Sequence, residues 1–528
     1  MKGVIVLMFS QVIIKIVGLI YKLYLTNKEG FGDIGNAIYS SGFQIYAMLL
    51  TVSSIGVPNS ISKLVSSKVA IGDNKAAYRI FKIAFALFGL LGFIGSSILF
   101  FGANYIANVY LQIPEAEMTL LALSPSVFLV SVASVLRGYF NGRENLSVTA
   151  NSQSLEQIFK TVFTILIVEQ IASISTNNTI LMAAGATLAT TFATLFSLIY
   201  LYKYFIKRKK EVWQEVVSST VHKKDSVIKI VKNILKVSVP IALCALFSST
   251  TKTIDAFTVV RILRNYIDEE QATIQYGILS GKIDTLVTLP FSFNIALATA
   301  LVPTISAAIA KKEMEVAKRR IEFSILGTIL IGIACTIYMS AFSKEILEML
   351  FPNASAGAQM LQIASWTIIF VVLTQTINGA LQGLGKVNIP VIAFAIGAIV
   401  KLVFNLVLIP VKTIGVNGAI ISSIISHFVS FAICFLSLKK SIDIDFKISK
   451  FLIKPIICSV LMYVVTYITY NNFNICVSQK ILLIFSVLGG LIAYIISIFL
   501  FKILSEEEIF MIPYGQKMYK TMHKSKNL

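Results

Sequence analysis

Charge is what this chain has least of. Only 14% of its 528 residues are Asp, Glu, Lys or Arg, where soluble domains carry about a quarter. A hydrophobic content of 56% and a mean hydropathy of +0.80 go with that shortage and exclude an ordinary water-soluble globule. Histidine is scarcer still. His222, His427 and His523 are the only three, and no H-E-x-x-H occurs, which removes the zinc-peptidase reading. The five cysteines (Cys244, Cys335, Cys434, Cys458, Cys476) never form a C-x-x-C pair. Neither a disulfide framework nor a metal site is expected from them. Four lie in apolar runs, where a thiol packs as a small hydrophobe.

Other catalytic signals are missing too. "ALQGLGKV" at Ala380–Val387 fails as a phosphate loop, because Ala380 stands where the first glycine should be and no Ser or Thr follows Lys386. "DID" at Asp443–Asp445 has the look of a metal-binding D-x-D but sits in a short loop with no nucleotide-binding domain around it. The chain is therefore read as a non-enzyme with no cofactor. No cleavable signal peptide is evident: "GVIVLMFSQVIIKIVGLIYKLYL" is too long for a signal core and lacks a small-residue cleavage site. It reads as a first transmembrane helix.

What is present is a succession of apolar runs, each long enough to cross about 30 Å of hydrocarbon at 1.5 Å per residue. They predict fourteen spans, near 3–26, 35–62, 83–110, 119–141, 151–170, 179–203, 234–260, 274–309, 321–342, 358–384, 388–410, 416–437, 451–470 and 480–502. The spans near 35–62 and 274–309 are long and contain Gly and Pro, so bending or breakage is expected there.

A net charge of +20 could suggest nucleic acid, but its distribution reports topology instead. With the N-terminus inside, the cytoplasmic loops contain Lys63 to Lys82, Arg137 and Arg143, Lys203 to Lys236, Lys311 to Arg320, Lys386, Lys439 to Lys454, and the tail. These hold about 34 of the 46 Lys and Arg, against about seven on the opposite face and five within spans. An even number of spans returns both termini to the cytoplasm. A plasma-membrane protein acting as a monomer, without nucleic acid, is the expectation.

The long basic segment Lys203–Lys236 divides six spans from eight and reads as an inside-anchoring linker, with anionic lipid as another possible partner. The parts on either side repeat one another. "KTVFTILIV" from Lys160 matches "KLVFNLVLI" from Lys401, and "GYFNG" at Gly138–Gly142 matches "GALQG" at Gly379–Gly383. "GVPNSIS" from Gly56 answers "LVPTISA" from Leu301, and Lys15 falls opposite Lys252. The fold class is thus an all-α polytopic membrane protein of about 14 helices: two six-helix parallel repeats plus a terminal pair. The expected domains are 1–206, a basic linker at 207–233, 234–440, the pair at 441–505 and a cytoplasmic tail at 506–528. Transporters use such repeats to build a site near the midplane.

Lys15, Lys160, Lys252, Lys282 and Lys401 lie inside spans, where each costs about 2.5–3.5 kcal/mol at the bilayer centre. They are expected to face the interior or water. Lys160 and Lys401 each open a K-x-V-F run and read as lysines that snorkel to the cytoplasmic interface or contact a helix end. Lys252 and Asp255, at i and i+3, share a helix face and are expected to pair. Lys282 and Asp284 point roughly 200° apart and should reach different partners.

Five segments in order carry a family resemblance: "GVPNSISKLVS" (56–66), "LRGYFNGRENLSVTANSQSLEQIFK" (136–160), "VPIALCALFSSTTKTIDAFTVVRIL" (239–263), "YGILSGKIDTLVTLPFSFNIALATALVPTIS" (276–306) and "LQGLGKVNIPVIAFAIGAIVKLVFNLVLIP" (381–410). Over about residues 1–505 the chain resembles the stage V sporulation protein B family. These are flippases of lipid-linked polysaccharide or peptidoglycan precursors, within the multidrug/oligosaccharidyl-lipid/polysaccharide (MATE-like) exporter superfamily. The resemblance implies two six-helix lobes around a cationic cavity lined by helices 1, 2, 7 and 8. It assigns Lys15, Lys22, Gln44, Lys252 and Lys282 to substrate binding, and Asp255 and Asp284 to ion pairing or coupling. Relatives of the lipid II type often carry arginines in helix 1 where this chain has lysines, which cannot grip a diphosphate bidentately.

The implied activity is outward movement of a polyprenyl-diphosphate-linked sugar precursor by alternating access, with membrane lipid as its surroundings. Coupling to the membrane potential, to Na⁺ or to H⁺ stays open. Two rival readings are a cation-coupled multidrug exporter and a membrane-embedded glycosyltransferase or polymerase. The first favours carboxylates over a cationic pocket, and the second needs a large outer loop where these are short.

Overall fold

The computed structural model describes residues 2–51, 57–69, 71–143, 145–175, 178–219, 226–310, 312–442, 444, 446–472, 479–505 and 508. Gly56, His222, Lys311, Asp443, Asp445, Cys476 and the tail from 509 onward lie outside them. Among the described residues the secondary structure is helical throughout, with no strand.

In chain order the helices are α1 (Lys2–Asn27), α2 (Gly32–Thr51), α3 (Val57–Val69), α4 (Asn74–Tyr105), α5 (Glu117–Gly142), α6 (Leu146–Ile174), α7 (Thr179–Lys207), α8 (Lys209–Val217), α9 (Val227–Leu263) and α10 (Glu269–Gly277). There follow α11 (Asp284–Val287), α12 (Leu289–Ala310), α13 (Met314–Ala341), α14 (Ser343–Leu350), α15 (Ala358–Ala364), α16 (Thr367–Gly383), α17 (Asn388–Leu408), α18 (Asn417–Ser441), α19 (Lys454–Asn472) and α20 (Gln479–Leu500). Several start where a short polar side chain caps the first amides. Asp73 accepts from Ala76 N, Asn178 from Leu181 N and Ser226 from Lys229 N. Gly72, at φ +77°, supplies the left-handed turn between α3 and the Asp73 cap.

Ten helical stretches of described residues are long and apolar enough to cross a membrane. In hydrocarbon every backbone group must be satisfied within the span, which helices achieve. The chain is a polytopic all-α membrane protein. The expected interruption between 274 and 309 is present. A π-helical turn at Ile278–Ile283 follows α10, and a turn at Thr288 separates α11 from α12, with Pro290 at the start of α12. A proline has no N–H to donate and is tolerated at a helix start.

The chain divides into two compact units: 1–292 with 350–357 and 390–426, and 293–349 with 358–389 and 427–528. In the first, α3 lies against α5 through two glycines. A Cβ on Gly138 would meet the Pro58 carbonyl at 2.9 Å, and one on Gly142 would meet the Ser62 carbonyl at 2.9 Å. In the second, α12 lies against α16 through the repeat equivalents: Gly379 against the Ala298 carbonyl at 2.5 Å and Gly383 against the Val302 carbonyl at 3.1 Å. Glycines of both matching motifs thus let two helix backbones close, although the contacts on α12 fall five residues before the positions that answer Pro58 and Ser62.

Helix α8 gives the basic linker a local structure. Val212 and Val216 are buried in a cluster with Ile80, Phe81, Ile230 and Ile234, while Arg208, Lys209 and Lys210 are exposed. In the second unit Asn294 donates to the Val372 carbonyl at 2.7 Å and accepts from Thr328 at 2.9 Å. Gly490 packs α20 onto α19, leaving its Cβ position filled by Thr466.

Candidate functional site

The first unit gathers six intramembrane lysines, five of which fall into two kinds. Two of them, Lys22 and Lys160, are brought together by the packing of α1 on α6. Gly18 makes that approach close, since a Cβ there would lie 3.3 Å from Gln157 Nε2. Thr161 reaches the Val17 carbonyl at 3.4 Å. One turn later along α1, Tyr21 and Lys22 face α2, whose Tyr39 and Phe43 stack at 5.6 Å and 11°. The i, i+4 spacing of those rings places them on one helix face.

Both ammonium groups rest on this aromatic surface. Lys22 Nζ lies 4.6 Å from the Tyr39 ring centre. Lys160 Nζ lies 4.3 Å from Phe43, 4.9 Å from Tyr21 and 6.0 Å from Tyr39. The two side chains are only 5% and 7% exposed, yet among the described residues neither has a carboxylate within 4 Å. The rings hold them instead, each contact contributing about 2 kcal/mol when desolvated. Tyr21 and Tyr39 are tied to each other by a 3.3 Å hydroxyl contact.

The other kind is paired. Lys282, in the π turn and fully buried, lies 2.8 Å from Asp33 Oδ1 and 3.0 Å from Oδ2, and donates to the Ala354 carbonyl at 2.6 Å. The helices close around it. Gly277 has its Cβ position filled by the Asp33 carbonyl, and a Cβ on Gly281 would meet Asn36 at 2.6 Å. Lys401, also fully buried, lies 2.7 Å from Asp255 and donates to the Ala419 carbonyl and Ser423 Oγ, both at 2.6 Å. Asn405 donates to the same Asp255 oxygen at 2.9 Å. Lys252 pairs with Asp284 at 3.4 Å, both about one-third exposed.

Two sequence expectations are corrected by this arrangement. Asp255 does not neutralise Lys252, three residues along α9; it turns to Lys401. The reason is energetic. An unpaired charge at zero exposure is far more costly than a half-exposed one, so the carboxylate goes to the deeper lysine. Nor do Lys160 and Lys401 snorkel. Lys160 is the middle residue of the 29-residue α6, about 21 Å from either end at 1.5 Å per residue, beyond the reach of a lysine stem. Lys401 is locked by its three partners. The separation of Lys282 from Asp284 onto different partners is as the spacing requires.

Of the other residues assigned by resemblance, Lys15 is exposed and Gln44 half-buried. Lys15 makes no ion pair among the described residues. The sequence reading missed Asp33, the counterion of Lys282, because it lies before the apolar run that defined its span. It also counted Arg137 as a loop cation. That guanidinium is 5% exposed inside α5, bonded to Glu156 at 2.6 Å, Ser197 at 2.9 Å and Ser152 at 3.0 Å. Among the described residues no cluster of His, Cys, Asp and Glu has the makings of a metal site.

Membrane-crossing helices, an interrupted helix, and charges gathered among the helices define a multi-pass membrane transporter. The chain belongs to the polysaccharide biosynthesis protein family, whose profile matches residues 1–309; a MatE profile matches residues 283–407. Stage V sporulation protein B of Bacillus subtilis (strain 168) is 24% identical over 527 residues, 97% of each chain. Lipid II flippase MurJ of the same organism is 24% identical over 460 residues, 85% of this chain and 84% of that one. Among solved structures, a lipid II flippase MurJ in an inward closed conformation superposes with a TM-score of 0.72 at 16% identity, over 94% of this chain and 98% of that chain. An inward-facing multidrug resistance MATE transporter gives 0.65 at 13% identity, over 83% and 98%.

Proposed function

We propose that the protein is a flippase that moves a polyprenyl-diphosphate-linked sugar precursor outward across the plasma membrane by alternating access. The precursor serves peptidoglycan, spore cortex or a surface polysaccharide. The observation that carries this reading is the charge balance among the six lysines. Lys252, Lys282 and Lys401 each have a carboxylate, while Lys15, Lys22 and Lys160 have none among the described residues. Lys22 and Lys160 are buried; a surplus of buried cations costs stability unless an anion uses it, and a diphosphate head group is such an anion. Likeness to a lipid II flippase in sequence and in fold supports the same class of cargo.

In this reading both termini are cytoplasmic and the protein transports without chemically altering its cargo. Moving a head group with two negative charges outward through 100 mV, negative inside, gains about 4.6 kcal/mol. The potential can therefore drive export without ATP, provided the protein's lysines stay in place. The MatE match over 283–407 keeps one rival, a cation-coupled drug exporter.

Reconstitution into liposomes tests the proposal. A fluorescent lipid-linked disaccharide should change leaflet faster than in protein-free vesicles, and faster still under an imposed potential. Movement no faster than in empty vesicles, or export of cationic drugs in its place, would overturn it.

A further inference from the structure

We infer that Lys160 is a head-group-binding residue, and that with Lys22 it forms a two-ammonium seat that selects a diphosphate over a monophosphate. This rests on the flippase reading and names the part of the site that recognises the head group. Neither the spacing of α6 nor its K-x-V-F run pointed to such a role.

The argument starts from how the two lysines are held. A carboxylate partner neutralises an ammonium and takes up its donors, as Asp33 does for Lys282 and Asp255 for Lys401. An aromatic ring attracts the cation through its quadrupole but leaves the charge in place and accepts no conventional hydrogen bond from it. Lys160 and Lys22 are held in the second way, on the rings of Tyr21, Tyr39 and Phe43, with the neutral Tyr21 hydroxyl the one hydrogen-bonding neighbour added at Lys160. They are thus positioned and desolvated while their charge remains unanswered.

Both ammonium groups lie within 6.0 Å of the centre of a single ring, that of Tyr39. Each lysine is a point charge and cannot straddle two phosphates as an arginine fork does. Two lysines on one ring divide the task, one for each phosphate. A monophosphate carries similar charge but on a single phosphate group, so it seats on one ammonium and leaves the second without a phosphate partner. The cations also come from different helices, Lys22 from α1 and Lys160 from α6, so a bound diphosphate ties those helices together.

The test uses the full chain in nanodiscs, titrated with farnesyl diphosphate, farnesyl monophosphate and inorganic pyrophosphate. The unsubstituted protein is expected to prefer the diphosphate lipid over the monophosphate by about tenfold or more. Lys160→Met should bring the two lipids to about parity, and Lys160→Arg should keep most of the preference. Because Lys160→Met removes an unpaired buried charge at similar volume, its melting midpoint should hold or rise. A preference kept in full by Lys160→Met would overturn the inference and leave the flippase reading standing. An equal loss of both lipids with a falling midpoint would also overturn it, by making Lys160 a packing residue. Failure of the unsubstituted protein to bind either lipid would overturn both readings. Pyrophosphate binding weaker than the diphosphate lipid supports a lipid head group; equal binding would overturn the lipid as its source.

Discussion

Lys282 Nζ sits between both carboxylate oxygens of Asp33, at 2.8 and 3.0 Å, and closes the cage on the carbonyl of Ala354. A cation on a broken helix is thereby joined to the first turn of α2 and to the segment 350–357. Truncating Asp33 to Ala leaves that cation buried with one carbonyl, and should cost about 3–5 kcal/mol of stability. Removing both charges, as Asp33→Asn with Lys282→Met, should cost less than Asp33→Ala alone. Thermal melts of the single and double variants measure the difference, and equal losses would show that the pair is not coupled.

Asp255 and Lys401 give a parallel test with a different outcome for the neighbour. In Asp255→Asn the ammonium of Lys401 keeps Ala419 and Ser423 but loses its counterion. A loss of about 3–5 kcal/mol is expected. Lys252→Gln removes only a 3.4 Å pair that is about one-third exposed, and should cost under about 1 kcal/mol. Similar losses for both would mean that Asp255 still answers to Lys252.

Arg137 should not tolerate lysine. Its guanidinium reaches Ser152 through Nε, and Glu156 and Ser197 through one terminal nitrogen. A lysine cannot reproduce that fork. Arg137→Lys is expected to lose about 2 kcal/mol or more through unsatisfied buried groups. Arg143→Lys, at a pair with Glu215 on the half-exposed end of α5, should change stability little. Expression and melting midpoint in a common detergent distinguish them.

The glycine contacts predict a graded series. Gly379→Ala places a methyl 2.5 Å from the Ala298 carbonyl, and Gly383→Ala one at 2.8 Å from Ile305 Cβ and 3.1 Å from the Val302 carbonyl. Gly489→Ala meets nothing within 4 Å. Destabilisation of about 1–3 kcal/mol is expected for the first, less for the second, and almost none for the third. A flat series would remove the close-packing account of the repeat.

The sequence made the scaffold legible because apolar run length and lysine placement are local signals. The break near 274–309 was likewise visible from Gly281 and Pro290. Pairing was not. Lys252 and Asp255 share a helix face, and nothing local says that Lys401, about 150 positions on, needs the carboxylate more. Asp33 falls just before its predicted span and Arg137 is counted with a loop, because hydropathy sees where an apolar run stops, not where a helix stays buried. The seat of Lys160 depends on rings from two other helices, so only the packed structure reveals it.

The π turn at Ile278–Ile283 has a geometric consequence. Such a turn holds one residue more than an α turn, and that surplus sets the azimuth of everything after it. Deleting one residue there would swing Asp284 by about 100° relative to Asp33, unseating one ion pair while the chain remained helical. The compass bearing of this helix is fixed by counting residues rather than by any side chain.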